Sequence, residues 1–348
     1  MPLVKGFLFT LILNFDKEEF YSIPNSILTD LEVNINSGNA APKYIKNYIS
    51  KLESTGFILS VPKTMKSSFY RPIKIDQQPN HISNLLIEYN VAHDYHTVLK
   101  ALNRSHILIV VRSIIDFDAL LDYISIYSAN YYYLHLEVSY KTSKWLIKYL
   151  NSHFIPQIIE VHFYGRNEPT NVIDVVATFW HSGKIPDLKR EVAGHLDLFE
   201  CNNLFFNEAL HFHSYFNKKL YISNDGTLSN TVFVQKPKMQ LSAISNTSDF
   251  YKFISSNAFK RLWSVKKDST NVCQDCEFRY NCTDNRVPLE KEYLSGEWYH
   301  ESECDYNPYI GKWRGEEGYV PLAKIGTINQ FEFFPDENKI MTHISQFH

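Results

Sequence analysis

The sequence predicts an α/β protein with a small N-terminal domain and a cysteine-rich C-terminal region. Between residues 83 and 200, apolar strand-like runs about 25 residues apart alternate with amphipathic helices. This alternation favours a parallel sheet with crossover helices. The N-terminal residues instead show short strands, two helices and another strand. Four of the five cysteines lie between residues 273 and 304.

Composition excludes several classes of protein. A chain of 348 residues has room for roughly two domains of ~150 residues. Hydrophobic residues make up 44% and charged residues 21%, which favours a packed core over disorder. The net charge of −3 does not favour nucleic acid or a membrane surface as the partner. The N-terminal apolar run lacks a cleavage site and no run of ~18 apolar residues exists, so we expect a cytoplasmic protein with reduced thiols.

The N-terminal segment has the element order of a winged helix-turn-helix. Pro42 stands near the first position of the second helix, where its missing N–H costs nothing. Gly56 then ends that helix. We therefore predict a winged-helix-like domain over 1–62 and a proline-containing linker over 63–82. The predicted elements are strands at 7–14, 19–23 and 57–61 and helices at 26–34 and 41–54.

The next segment, 83–205, is predicted to be a partial β/α barrel. A complete eight-fold barrel needs ~250 residues, and this segment has about half that number. Its near-continuous apolar strands are typical of strands that are buried on both faces. The predicted strands are 85–89, 106–111, 132–138, 158–163 and 172–179, and the predicted helices are 95–103, 116–129 and 143–152.

The pattern changes in 206–318, which we predict to be a separate metal-binding domain. Asn224-Asp225-Gly226-Thr227 indicates a hairpin, because Asp-Gly supplies the positive φ angles of a tight turn. The last residues, 319–348, form a tail without a recognisable motif. The predicted elements are strands at 211–216, 219–223 and 228–234 and a helix at 248–264.

The cysteines follow the spacing Cys-x2-Cys-x5-Cys-x21-Cys, through Cys273, Cys276, Cys282 and Cys304. Five cysteines in a chain of this length are too few for a secreted disulfide scaffold. Thiolates at this spacing suit zinc or an iron–sulfur cluster. The alternative is that four unrelated buried thiols happen to fall in one segment.

The segments Cys273-Gln-Asp-Cys276-Glu-Phe-Arg-Tyr-Asn-Cys282 and Cys304-Asp-Tyr-Asn-Pro-Tyr-Ile-Gly-Lys-Trp313 resemble a known family. They look like the C-terminal SPASM segment of radical-SAM peptide maturases. The nearest resemblance is to the SPASM-domain protein of grasp-with-spasm ribosomal peptide systems, which accompanies an ATP-grasp ligase. The resemblance implies that the four cysteines ligate one [4Fe–4S] cluster, with zinc as the alternative.

The chain also departs from that family. Radical-SAM catalysis needs a Cys-x3-Cys-x2-Cys loop after the first barrel strand, and residues 91–96 contain no cysteine. We therefore expect no cluster that binds S-adenosylmethionine and no radical chemistry. A second auxiliary cluster is not expected either. The positions that it needs hold other residues: Tyr215, Asn230 or Thr231, and Asn285 or Arg286.

The resemblance implies an accessory role in peptide maturation, with no catalytic residue assigned. The N-terminal domain would bind the leader of a precursor peptide as an added strand, and the partner would be an ATP-grasp ligase. DNA binding or a purely structural cap are alternatives for this domain. For the whole chain, the alternatives are a peptide-modifying enzyme with other chemistry and a single-cluster electron-transfer protein.

Two weaker sites have structural explanations. His93 and His96, with Asp94, are ligand or acid–base types, but they also fit the first turn of a helix that begins near Asp94. Cys201 lacks a neighbouring histidine motif, which favours a small buried apolar residue over a nucleophile.

Overall fold

An eight-stranded, mostly parallel β-sheet is the largest element of the computed structural model, which confirms the predicted α/β class. The structure describes residues 2–37, 42–58, 81–112, 117–137, 139–153, 155–165, 176–189, 199–234, 236–292, 294–330 and 332–347. The chain divides into two units. The first comprises 1–77, 191–215 and 264–348, and the second comprises 78–190 and 216–263. Within the described ranges, no helix has both the length and the apolar character to cross a bilayer.

Strands and helices are numbered along the whole chain. The elements of the second unit are β4 (Asn84–Glu88), α3 (His96–Ala101), β5 (His106–Val111), α4 (Phe117–Ile126), β6 (Tyr131–Glu137), α5 (Tyr140–Ser152), β7 (Ile158–Tyr164), β8 (Ala177–His181), β9 (Lys219–Ile222), β10 (Thr227–Ser229), β11 (Met239–Gln240), α7 (Thr247–Ser255) and α8 (Asn257–Lys260). Those of the first unit are β1 (Leu3–Lys5), β2 (Phe9–Asn14), β3 (Glu19–Pro24), α1 (Asn25–Ser37), α2 (Lys43–Ser54), α6 (Asn203–His211), β12 (Leu289–Glu290), β13 (Trp298–Tyr299), β14 (Tyr306–Asn307), β15 (Lys312–Trp313), α9 (Leu322–Ile325), β16 (Gly326–Asn329), β17 (Glu332–Pro335) and α10 (Glu337–Phe347).

The large sheet has the strand order β11-β10-β9-β4-β5-β6-β7-β8. Strands β4 to β8 run parallel in chain order and β9 is parallel to β4, whereas β10 and β11 pair antiparallel. The strands and helices predicted between 85 and 163 are confirmed, with ends shifted by a few residues. The strand predicted at 172–179 is β8, which starts later, and 172–175 lie outside the described residues.

The two faces of this sheet differ in chemistry. One face is apolar and packs with buried residues of α3, α4, α5, α7 and α8 in a single core cluster. The opposite face carries histidine, tyrosine and glutamate side chains on β5 to β8, since side chains alternate between the two faces of a strand. All five described helices of this unit thus bury their apolar residues on the same side.

Two predictions after residue 220 are corrected. The strand predicted at 228–234 ends at Ser229, because the Asn230 side chain donates to the carbonyls of Phe216 (3.1 Å) and Lys219 (2.8 Å). The single helix predicted at 248–264 is broken after Ser255. There the side chain of Ser256 accepts from the N–H of Phe259 (3.2 Å) and begins the short helix α8.

The N-terminal part of the first unit is a three-stranded antiparallel sheet, in the order β1-β2-β3, with helices α1 and α2. The predicted strands at 7–14 and 19–23 and both predicted helices are confirmed. Ile23, Ile45 and Leu52 join the sheet and the helices in one buried cluster. The chain bends at 57–58, where a strand was predicted over 57–61, and 59–61 lie outside the described residues.

The strand predicted at 211–216 is wrong. Helix α6 ends at His211, and a bend and turns follow through Phe216. The helix starts where the Asn202 side chain accepts from the N–H of Phe205 (2.8 Å), and it buries Phe206 and Ala209. The tail at 319–348, which shows no sequence motif, contains α9, the β16–β17 hairpin and α10. These elements bury Leu322, Ile325, Phe333 and Ile340 around Tyr309.

Candidate metal centre

The Cys-x2-Cys pair lies in a tight turn of the first unit. Cys273 opens a short 3-10 helix, and the N–H of Cys276 donates to the Cys273 carbonyl (3.1 Å). Val272, just before it, has a φ of 67°. A β-branched residue rarely adopts this left-handed conformation, and such strain concentrates at functional sites. The turn therefore directs two thiols towards one region at a cost in backbone energy.

Arg279 hydrogen-bonds the cysteine turn to two neighbouring segments. Its guanidinium donates from Nη1 to the carbonyls of Cys276 (2.9 Å) and Lys5 (2.8 Å), and from Nε to Asp268 (3.1 Å). Tyr280 donates to the same Asp268 carboxylate (2.6 Å). The cysteine turn is thus held to strand β1 and to the segment that precedes it.

Cys282 and Cys304 are positioned by separate segments. Cys282 forms an isolated antiparallel bridge with Phe199, and its carbonyl accepts from the Ser214 hydroxyl (2.7 Å). The Cys304 sulfur accepts from the N–H of Tyr306 (3.4 Å). Backbone donors of this kind stabilise a thiolate. The four predicted ligands therefore come from the 273–276 turn, from Cys282 six residues later and from Cys304.

Burial shields three of the thiols from solvent. Burial raises the pKa of Cys273 to about 11 and that of Cys304 to about 12, and it raises the pKa of Cys276 well above its usual range. Electrostatic coupling links Cys276 to the other three cysteines, so the four lie close together. Without a metal these three thiols are neutral at pH 7. Metal binding there must release protons.

Charged residues surround the thiols with a surplus of positive charge. Lys267 is 4% exposed and its Nζ has no hydrogen-bond partner. Burial alone would lower the pKa of Lys267, but the neighbouring Cys282, Asp284 and Cys273 raise it above its usual range. Arg286 is also buried and pairs with Asp284 (2.6 Å). Two cations therefore face one carboxylate.

A second combination of ligand types overlaps this site. Among the described residues, Cys273, Asp284 and His300 are a set whose ligand atoms all lie within 4.8 Å of one another. The four cysteine sulfurs, all in described positions, do not reach that spacing as a set. Sequence reasoning missed Asp284 and His300. Both lie inside the cysteine segment, but no regular spacing distinguishes them.

The environment of Asp284 and His300 limits what they can bind. Burial alone would raise the pKa of Asp284, but Arg286, His300 and Lys267 hold it well below its usual range. Both carboxylate oxygens of Asp284 accept from Arg286. Burial lowers the pKa of His300 to about 4, and its Nδ1 has no hydrogen-bond partner. Asp284 is thus occupied by Arg286, whereas His300 offers a neutral nitrogen.

A cavity of about 90 Å³ adjoins the thiols, and Cys273, Cys304, Arg286 and His300 are among its lining residues. It has room for a few water molecules, since each takes about 30 Å³ in the liquid. On the other side of Cys276, Glu277 is 1% exposed and accepts from the Tyr306 hydroxyl. Burial raises the pKa of Glu277 to about 7.

The charges and donor atoms around the thiols indicate whether a metal group fits this site. In the metal-free site the buried cations Lys267 and Arg286 share the single carboxylate of Asp284. Four thiolates around a dication have a net charge of −2, which these cations would balance. In a single tetrahedral zinc site, sulfurs that lie 2.3 Å from the metal are about 3.8 Å apart. A cluster spaces its thiolates more widely because each binds a different iron. The donors present fit a metal group.

The other candidates from the sequence do not converge on a site. His93 Nε2 lies 3.0 Å from the Asn224 carbonyl, and His96 Nδ1 lies 2.6 Å from the Tyr127 hydroxyl. Asp94 accepts from the N–H of His96 (2.8 Å), a helix-start role. Cys201 is buried, and its thiol donates to the Glu19 carbonyl (3.0 Å). Burial raises the pKa of Cys201 to about 11, so it is a neutral packing residue.

Comparison with protein-family models, with curated proteins and with solved structures finds no match to this chain.

Proposed function

We propose that this chain is an accessory protein of ribosomal peptide maturation, with one metal centre held by Cys273, Cys276, Cys282 and Cys304. The single observation that carries the metal centre is the buried ammonium of Lys267, which has no hydrogen-bond partner and interacts electrostatically with Cys282 and Cys273. A [4Fe–4S] cluster is the preferred occupant because the cysteine segments resemble SPASM segments, which hold such a cluster. The winged-helix, partial-barrel and SPASM identities of the segments belong to this proposal.

The metal group would join the three segments that supply its ligands. It would stabilise the fold, because a metal that binds only the folded site adds its binding free energy to the free energy of folding. Arg279 and Asp268 orient the first cysteine turn, and Arg286 occupies both carboxylate oxygens of Asp284. No radical chemistry is assigned, since residues 91–96, which follow β4, contain no cysteine.

Peptide binding is assigned to the N-terminal sheet. β3 lies at the edge of the sheet that the described residues form. The N–H of Asn25 donates to the Leu8 carbonyl, so the alternation of an antiparallel pair turns the N–H groups of Phe20 and Ser22 away from β2. These groups are the ones that an added peptide strand would use. Ser22 is exposed and Phe20 is partly buried.

The test is binding of the precursor leader to the full chain, measured by fluorescence anisotropy. Ser22→Pro removes one outward N–H, and we expect it to weaken binding about tenfold, the effect of one lost hydrogen bond. Ser26→Ala, an exposed residue of α1, is the matched control. Equal leader affinity for Ser22→Pro and the wild type would refute the edge-strand assignment.

Mass spectrometry separates the accessory role from the enzymatic alternative. The protein is incubated with precursor alone and with precursor, ATP and the ligase. We expect the precursor mass to change only when the ligase is present. A change produced by this chain alone would overturn the accessory role. A visible spectrum of anaerobically purified protein then distinguishes iron–sulfur from zinc, because only the former absorbs.

A further inference from the structure

The second face of the large sheet carries a cluster of histidines that the proposed function does not use. His135, His162 and His181 lie on β6, β7 and β8, in the halves of the strands towards their carboxyl ends. The register pairs His135 with His162, and His181 with Tyr164. Ligands of open α/β sheets bind outside the carboxyl ends of the strands. The cluster lies near that edge.

Two imidazole nitrogens in this cluster point at each other. His162 Nδ1 and His181 Nε2 are 3.0 Å apart, and the two rings are nearly parallel, at 4°. Two nitrogens bound to one tetrahedral zinc at 2.0–2.1 Å lie about 3.3 Å apart. The observed separation is close to that of two ligands of a single ion, so a small side-chain adjustment admits one.

Glu160 fixes which nitrogen of His162 is available. Its Oε2 lies 3.1 Å from His162 Nε2. A carboxylate at this distance accepts the Nε2–H, which leaves the lone pair on Nδ1 facing His181. Metal-binding histidines almost always donate their other N–H to a carboxylate, carbonyl or water in this way. The pair Glu160–His162 has the arrangement of an oriented ligand.

A third imidazole packs against this pair. The His135 ring stacks on His162 at a centroid distance of 4.3 Å, and the Tyr164 hydroxyl lies 3.0 Å from His135 Nδ1. The side chains of His162 and Glu160 remain 16% and 36% exposed. An ion from solvent can therefore reach the cluster, and water can complete its coordination.

We propose that His162 and His181 bind a divalent transition metal ion on this face, with Glu160 orienting His162. Imidazole nitrogen ligands favour zinc and its neighbours over magnesium or calcium. This site is separate from the cysteine centre, which lies in the other unit of the chain. It leaves coordination positions for an exogenous ligand, as catalytic rather than structural zinc sites do.

Cobalt(II) is the probe, because thiolate ligands give it an intense near-ultraviolet charge-transfer band whereas imidazoles give only weak visible bands. Cobalt(II) is added to the full chain from which any metal outside the cysteine centre has first been removed. We expect one equivalent to bind with visible bands and no thiolate band. His162→Gln and His181→Gln should abolish this binding, and Glu160→Gln should weaken it about 10–100-fold.

His106→Gln is the matched control. His106 lies on β5, on the same face, and contacts the Tyr133 hydroxyl (3.0 Å) outside the cluster. It should bind cobalt like the wild type. Circular dichroism checks that each variant folds. If both ligand variants unfold, NMR of the wild-type protein with cobalt(II) is the alternative measurement. We expect paramagnetic broadening of the imidazole signals of His162 and His181 and none for His106. The proposal is overturned if no equivalent of cobalt binds without a thiolate band, or if all folded variants bind cobalt with equal affinity. The cluster would then be a set of stacked rings without a metal site.

Discussion

Replacing Lys267 by methionine tests the charge balance of the cysteine centre. The change removes one buried positive charge and keeps an unbranched apolar stem. In the metal-free protein Lys267 has no hydrogen-bond partner, so its removal should leave the free energy of unfolding unchanged or raise it. In the metal-loaded protein the ammonium faces a thiolate-bound group of opposite charge. Breaking a buried charge pair there costs about 3 kcal/mol, equivalent to roughly 100-fold in metal affinity.

The assay compares urea unfolding of loaded and metal-free protein with the rate of metal release to a chelator. Lys324→Met, at an exposed position of α9, is the control and should behave like the wild type in both. The reasoning fails if Lys267→Met retains metal as well as the wild type does. It also fails if the metal-free variant loses several kcal/mol, because Lys267 would then be a structural residue unrelated to the metal.

Three further changes test other parts of the structure. Cys276→Ser should remove the bound metal while Cys201→Ser retains it, as measured by elemental analysis, because Cys201 bonds only to backbone carbonyls. Gly6→Ala would place a Cβ 2.6 Å from the backbone nitrogen of Glu277. We expect a loss of about 1–3 kcal/mol in urea unfolding and none for Gly183→Ala, where a Cβ meets nothing within 4 Å. Hydrogen bonds from Ser223 and Thr227 hold the pKa of Asp225 below its ordinary 3.8. Its carboxylate therefore stabilises the fold above that pH, and this contribution is lost as the pH falls through the lowered pKa. Asp225→Asn should unfold at a lower temperature than the wild type at pH 7, and the difference should vanish in strong acid.

The β/α units were predictable because their strands are continuous apolar runs. Ile107, Ile109 and Val111 face the core, and Val110 on the other face is also buried, so the whole run is apolar. The same criterion gave a wrong prediction for the segment at 211–216. Its alternating His and aromatic residues resemble a strand, whereas the chain leaves helix α6 at His211 and continues in a bend and turns.

The candidate metal centre was only partly predictable. The spacing of Cys273, Cys276, Cys282 and Cys304 indicates ligands for one group, and coupling between the thiols places them close together. The roles of Lys267 and His300 depend on burial, which no local spacing records. The histidine cluster on β6 to β8 had no sequence signal either. His162 and His181 meet only through the strand register.

Arg279 binds the carbonyl of Lys5, a contact between residues 274 positions apart in the chain. During synthesis the N-terminal sheet therefore leaves the ribosome long before the cysteine turn that packs against it. The other unit, which ends at residue 263, can complete its sheet first. For most of translation the first unit is an unfinished surface with exposed apolar edges. Its assembly, and the delivery of any metal to its thiols, is consequently a late event, sensitive to chaperones and to the supply of metal at that moment.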